Sequence, residues 1–237
     1  MRNLADLDPR ISLCILTDEP HDADFRAVEN IAKVIATPES FRPFKAMYKA
    51  RALEWFRRSA ELADNDWILH LDEETVIDEH TLEACIHFAE RQDAYEYGQG
   101  IIMYNSHGFW GNTLTTIGDI SRVRDDFARY FWNHNYIHVP TTGLHGSFLL
   151  TSGRVENAVT WDTASTAEDM WFGLEAWKMN MKGGWIPSIA REQSPYTVRD
   201  FWKQRSRWFT GMSRVQGLTS RITVVMWCLE AIGSPIM

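Results

Sequence analysis

The chain is 237 residues long with a formal net charge of −8; it is 45% hydrophobic and 13% aromatic, with 11 Trp. That much apolar and aromatic material fills a core and excludes a disordered chain, while the acidic balance argues against a nucleic-acid binder held by bulk charge. Cys14, Cys85 and Cys228 are far apart and form no CxxC pair, which excludes a disulfide-stapled scaffold and reads as reduced thiols packed as small apolar groups.

The first ten residues, MRNLADLDPR, hold no apolar run, so no signal peptide is read there. Residues 11–17 (ISLCILT) read as a buried strand, closed by Asp18-Glu-Pro. A short helix is expected over 24–31 and a second strand over 33–36. Residues 44–63 are rich in Ala, Leu, Lys, Arg and Glu and lack Gly and Pro, which predicts a helix. Residues 67–71 (WILHL) form a strand that runs into Asp72-Glu73-Glu74. A helix over 79–90 places Leu82, Cys85, Ile86 and Ala89 on one stripe. A strand over 100–104, a helix over 114–131 and a strand over 147–151 follow. A helix over 167–179 is stopped by Gly183-Gly184, and a long basic-aromatic helix covers 197–215. Alternating strands and helices predict an α/β domain with a mostly parallel sheet and no internal boundary before about residue 220.

The tail over 222–237 has one charge, Glu230, and at 16 residues it falls short of the roughly 20 that a membrane span needs. Just before it, residues 199–221 carry Arg199, Lys203, Arg205, Arg207, Arg214 and Arg221 against Asp200, a net of +5. A basic cluster beside an apolar run fits a membrane or interfacial helix with its basic side in the cytoplasm; the alternative is an amphipathic helix packed on the domain with Glu230 exposed.

Three clusters carry candidate chemistry. Asp72 and Glu74 sit at a strand's carboxyl end, two residues apart and so on one side of an extended segment. Paired carboxylates there suit Mg²⁺ or Mn²⁺. Ala167-Glu168-Asp169 opens a helix; Ser165 and Glu168 have capping-box spacing, which leaves Asp169 for a base. Gln204, Arg207 and Trp208 lie at i, i+3 and i+4 on one helix face, offering an amide, a guanidinium and an indole. His134 and His138 read as loop histidines without a zinc motif, and His145 as a distant candidate metal ligand. Trp110, Trp132, Trp161, Trp171 and Trp177 are candidate sugar-stacking rings.

In this order and spacing, LDEET (71–75), AED (167–169) and QRSRW (204–208) resemble the motif set of the family 2 inverting glycosyltransferases. KARAL (49–53), DWILHLDEET (66–75), GQG (98–100) and Gly146-Ser147 add a closer likeness to the egghead-type β-1,4-mannosyltransferases. The likeness runs over roughly residues 11–215.

The resemblance implies a GT-A fold and metal-assisted direct displacement from a nucleotide-sugar. The implied donor is GDP-mannose, or else a UDP-sugar, and the implied acceptor a glycolipid or glycan hydroxyl. It implies Asp169 as base, and Asp18, Lys49, Asp72, Gln204, Arg207 and Trp208 near the donor. Asp72 and Glu74 would hold the metal, and Glu168 and Trp208 would face the acceptor side. It also implies a membrane-bound enzyme with its catalytic domain (residues 1–220) on the cytoplasmic side, followed from 221 by a membrane or interfacial helix. A processive polysaccharide synthase and a non-catalytic sugar-nucleotide binder are the alternatives. Such enzymes have one more strand and helix before the strand at 11–17, and several membrane helices after QxxRW, so a core lacking its first strand is expected.

Overall fold

The computed structural model describes residues 7–18, 25, 28, 30–91, 95–106 and 108–233; the helix expected over 24–31 falls largely outside them. The first apolar run becomes β1 (Cys14–Thr17), paired in parallel with β2 (Lys33–Ala36). A second sheet has the spatial order β3 (Trp67–His70), β5 (Leu149–Ser152), β4 (Tyr97–Met103), β6 (Gly183–Arg191). Strands β3, β4 and β6 run the same way, while β5 runs against both of its neighbours. The sheet is therefore mostly parallel, with one reversed strand entered from the long excursion between β4 and β5. Among the described residues β1 and β3 form no ladder with each other, and both line a wide cleft.

The helices are α1 (Tyr48–Ser59), α2 (Glu79–Glu90), α3 (Thr113–Asp125), α4 (Gly153–Val159), α5 (Glu168–Lys178), α6 (Val198–Arg214) and α7 (Leu218–Gly233). Strand β6 and helix α4 are additions to the expected pattern. The helix expected over 114–131 is regular only to Asp125; wider π turns follow at Asp126–Tyr130 and Asn133–Ile137.

Leu149 and Leu150 alternate across β5 and feed two apolar clusters, one on each face of the sheet. On one face the buried Trp161 ring stacks on Phe172 with centroids 4.1 Å apart. That side also holds a buried polar knot. Glu156 accepts hydrogen bonds from His70 Nε2 (2.7 Å), Thr151 Oγ1 (2.5 Å) and Trp161 Nε1 (2.5 Å). Glu54 accepts from Arg57, Arg58 and the Trp161 backbone N–H (3.0 Å). The knot ties α1, β3, β5 and α4 behind the strand end that carries Asp72.

His134 is not a loop residue: the π turns fold it into the core with no exposed surface, whereas His138 follows the second π turn in irregular backbone, as expected of a loop histidine. His134 Nδ1 donates to the Tyr130 carbonyl (2.8 Å), and burial pushes its pKa down to about 4. A histidine that is neutral when folded and titrates near 6.5 when unfolded stabilises the fold above that value. The stabilisation is lost as pH falls from 6.5 towards 4, by on the order of 3 kcal/mol in total. Urea unfolding should therefore show falling stability across this window, and His134→Gln should flatten the slope. An unchanged slope in the variant would remove His134 as its cause.

Candidate active site

The cleft has a volume of about 2320 Å³ and is lined by β1, β3, the start of α1, the Gly146 segment, the start of α5 and one face of α6. Four charged side chains from three elements converge in it. Lys49, in the first turn of α1, pairs through Nζ with Asp72 at the end of β3, and lies 3.7 Å from Glu168 at the start of α5. The Asp169 carboxylate is fixed from both sides: Oδ2 accepts from the Gly146 N–H (3.0 Å) and Oδ1 from the Met170 N–H (2.7 Å). A Cβ at Gly146 would stand 3.3 Å from both the Asp169 Cβ and Lys49 Nζ, so any side chain there would crowd this pair.

The expected capping box does not form. Ser165 Oγ accepts from the Ala167 N–H (3.0 Å) and donates to the Gly211 carbonyl (2.9 Å), which ties the loop to α6. The α5 start then has no side-chain cap, and Glu168 turns to Lys49 instead. Burial, and then the charge of Asp169, raise Glu168 to about 7, against the pull of Lys49. Burial acts to lower the Lys49 ammonium, but Asp72, Glu168 and Asp169 outweigh it and hold Lys49 above its ordinary range.

Gln204, Arg207 and Trp208 line the same cleft from α6. Two guanidiniums lie over the Trp208 ring, Arg122 at 4.4 Å and Arg205 at 4.3 Å from its centroid. Arg205 is held by the buried Asp119. Burial, followed by the charge of Arg122, lowers Arg205 to about 10. Trp208 is thus clamped by the protein's own cations. Sequence reasoning missed Arg122, Asp119 and the role of Arg205. Only Arg205 had a signal, its place inside QRSRW.

Asp18 lines the far side of the cleft, where Arg51 Nη1 donates to it (2.7 Å). Arg51 stands in KARAL, so that string places one cation on Asp72 and another on Asp18. The acidic loop is anchored where Val76 and Arg191 exchange backbone hydrogen bonds of 2.7 and 2.8 Å. Glu74 is raised by burial first, opposed by a backbone hydrogen bond, and then by the charges of Asp72, Glu192 and Glu73. Carboxylates that repel one another at a loop fit a cation. Among the described residues, though, no three His, Cys, Asp or Glu gather into a ready cage. His145 is no member of such a set; its Nε2 faces Asp126 Oδ1 at 2.8 Å. Of the candidate stacking rings, Trp161 is buried, Trp171 and Trp177 pack on the core, and Trp132 does not line the cleft. The Trp110 side chain lies outside the described residues.

Residues 67–236 match the family described as Glycosyl transferase family group 2. The chain belongs to this glycosyltransferase family. It is 35% identical over 192 residues to the β-1,4-mannosyltransferase bre-3 of Caenorhabditis elegans, covering 79% of this chain and 42% of that protein. It is 33% identical over 187 residues to the β-1,4-mannosyltransferase egh of Drosophila melanogaster, covering 77% of this chain and 40% of that one. The egghead-type likeness read from the motifs is thus supported, and the chain spans less than half the length of these relatives.

Among solved structures, mannosyl-3-phosphoglycerate synthase from Rubrobacter xylanophilus aligns with a TM-score of 0.55 at 10% identity, over 89% of this chain and 64% of that one. Glucosyl-3-phosphoglycerate synthase from Mycobacterium tuberculosis, in complex with Mn²⁺, UDP and glucosyl-3-phosphoglycerate, aligns at 0.51 and 11% identity, over 86% and 68%. At such identities the likeness shows the fold, which is GT-A. The glycosyltransferase segment carries Asp72, Glu74, Glu168, Asp169, Gln204, Arg207 and Trp208, whereas Asp18, Lys49 and Arg51 precede it.

Proposed function

We propose that this chain transfers a mannosyl residue from a nucleotide-sugar, GDP-mannose, to a hydroxyl of a glycolipid or glycan acceptor, with inversion at the anomeric carbon. The observation that carries the reading is the fixed Asp169 carboxylate, held by two backbone N–H groups in the cleft beside Lys49, Asp72 and Glu168. Asp169 receives the acceptor proton as the oxygen attacks. Lys49 and Arg207 face the departing diphosphate as cations, Lys49 positioned by its two carboxylate partners. Gln204 and Trp208 line the cleft where the two sugars meet, and Asp18 with Arg51 forms its nucleoside side.

Asp72 and Glu74 would hold Mg²⁺ or Mn²⁺, which supplies charge neutralisation for a diphosphate. The repulsion that Glu74 feels from Asp72, Glu192 and Glu73 supports this assignment. Glu74→Ala should abolish the Mn²⁺-dependent part of GDP binding, read by calorimetry with and without the metal. An undiminished metal dependence would remove Glu74 from the ligand set.

The acceptor reading places the catalytic region, residues 1–220, at the cytoplasmic face of a membrane, with the segment from 221 onward as its membrane or interfacial helix. Helix α7 shows exposed Ile222, Val225 and Leu229, and among the described residues no helix is long and apolar enough to cross a membrane.

A further inference from the structure

Glu192 is a buried carboxylate outside the LDEET, AED and QRSRW motifs. It follows Arg191, the last residue of β6, and lines the cleft with its side chain only 6% exposed. Its backbone is fixed at both groups: the N–H donates to the Met103 carbonyl (2.9 Å), and the carbonyl accepts from the Ser106 N–H (3.1 Å). The Val76–Arg191 bridge sets this point of the chain against the acidic loop that carries Glu74. On its other side stands Arg122, whose guanidinium lies over the Trp208 ring. Glu192 is thus held on a rigid strand end, with the acidic loop to one side and Trp208 to the other.

Its pairing is incomplete. Arg122 Nη1 stands 3.8 Å from Glu192 Oε2, longer than a hydrogen bond. Glu192 Oε1 is buried with no hydrogen-bond partner among the described residues, and the same holds for Gln204 Oε1 on the α6 wall of the cleft. The neighbouring charges are engaged elsewhere. Asp119 holds Arg205, while Asp126 accepts the Ile102 N–H (2.8 Å) and faces His145. Arg122 Nη2 reaches His145 Nδ1 only at 3.5 Å. A buried carboxylate oxygen without a donor is costly, so this arrangement is one that a ligand completes.

We infer that Glu192, steadied by Arg122, reads the hydroxyls of the transferred sugar and is a specificity-determining residue of this enzyme. The chemistry selects a polyol. A carboxylate oxygen and a forked guanidinium beside an aromatic ring match two neighbouring hydroxyls of a pyranose: one donates to Glu192 Oε1 and the other accepts from Arg122. A phosphate in the same place would meet the Glu192 charge. The position selects the donor's sugar rather than the acceptor's. A sugar joined to a diphosphate at Asp72 and Glu74 extends from the acidic loop towards Trp208, along the wall that Glu192 forms. The inference rests on the nucleotide-sugar reading above and adds to it a contact with the sugar itself.

The test is calorimetry of the full chain in Mn²⁺ with GDP and with GDP-mannose, beside steady-state transfer. Glu192→Gln keeps the shape of the side chain but loses its charge and one acceptor oxygen. It should weaken GDP-mannose by about tenfold or more and leave GDP, which has no sugar, within about twofold. The acceptor KM should also stay within about twofold. Glu192→Asp keeps the charge beside Arg122 but withdraws the oxygens by one methylene, and should show the same split. Among GDP-mannose analogues that each lack one hydroxyl, at least one should bind the parent and Glu192→Gln alike, because the contact is already gone. If GDP and GDP-mannose weaken together, Glu192 acts through the acidic loop and the inference falls. A raised acceptor KM with donor affinity intact would overturn it in favour of an acceptor contact. Parental behaviour of both variants, with the parent transferring mannose, would sink the inference alone. A parent that binds GDP but neither binds nor transfers from a nucleotide-sugar would take the proposed function with it.

Discussion

Under the proposed function, Asp169→Asn should lower mannosyl transfer by roughly two to four orders of magnitude while leaving binding of the proposed nucleotide-sugar within a few-fold of the parent. The asymmetry follows from geometry. The side-chain oxygen of Asn can still accept from the Gly146 N–H, so the loop between β5 and its preceding segment keeps its place. The other oxygen, which accepts from Met170, becomes an NH₂ that cannot take a proton from an attacking hydroxyl. Glu168 is no substitute. Its carboxyl is turned to the Lys49 ammonium 3.7 Å away, not held by the backbone N–H groups that aim Asp169. Single-turnover transfer, measured beside calorimetric donor binding, separates the two effects. Turnover near the parental rate would sink the assignment of Asp169 as base. Loss of binding as large as the loss of transfer would show that the substitution had collapsed the Lys49–Asp72–Glu168 cluster instead.

The motifs made this much of the site legible because each is short and local. LDEET, AED and QRSRW each fix one strand end, helix start or helix face, and the fold brings the three together. What could not be read are the partners supplied by burial. A periodicity argument sends Ile117, Ile120 and Phe127 inward on α3 and leaves Asp119, Arg122 and Asp126 outside. The structure does the reverse, and so hides the cations that clamp Trp208. Strand β6 was missed for a different reason. Gly183-Gly184 reads as a stop and Pro187 as a strand breaker, yet β6 forms a ladder with β4 and, among the described residues, touches no other strand beyond the single Val76–Arg191 bridge at its end. An edge strand tolerates Pro where no ladder donor is needed, and Pro187 is exposed there. Helix α4 is only seven residues long, too short to show a period. The capping box failed because α5 starts two residues later than the motif needs, with Ala167 at the N-cap, so Ser165 Oγ accepts from the Ala167 N–H while donating to the Gly211 carbonyl of α6, a contact that sequence separation conceals.

Glu156→Ala should be the most destabilising single change outside the cleft. Glu156 has no exposed surface and collects hydrogen bonds from His70, Thr151 and Trp161 within 2.5–2.7 Å. Burial acts to raise its pKa, but His70, Thr151 and Trp161 outweigh this and hold it in the lowered, ionised state. Truncation leaves a buried indole N–H, a hydroxyl and an imidazole without their acceptor. Losses of this kind are on the order of 3–5 kcal/mol, against a total stability of about 5–15 kcal/mol for a domain. Glu156→Gln retains one acceptor oxygen and should lose less. Urea unfolding of the two variants gives the ranking. Because His70 is two residues before Asp72 on β3, donor affinity should fall along with stability in Glu156→Ala, even though Glu156 lies outside the cleft lining. A Glu156→Ala protein as stable as the parent would mean that the knot between α1, β3 and α4 is replaceable packing. Stability lost with donor affinity intact would show that the end of β3 is held by its ladder to β5 alone.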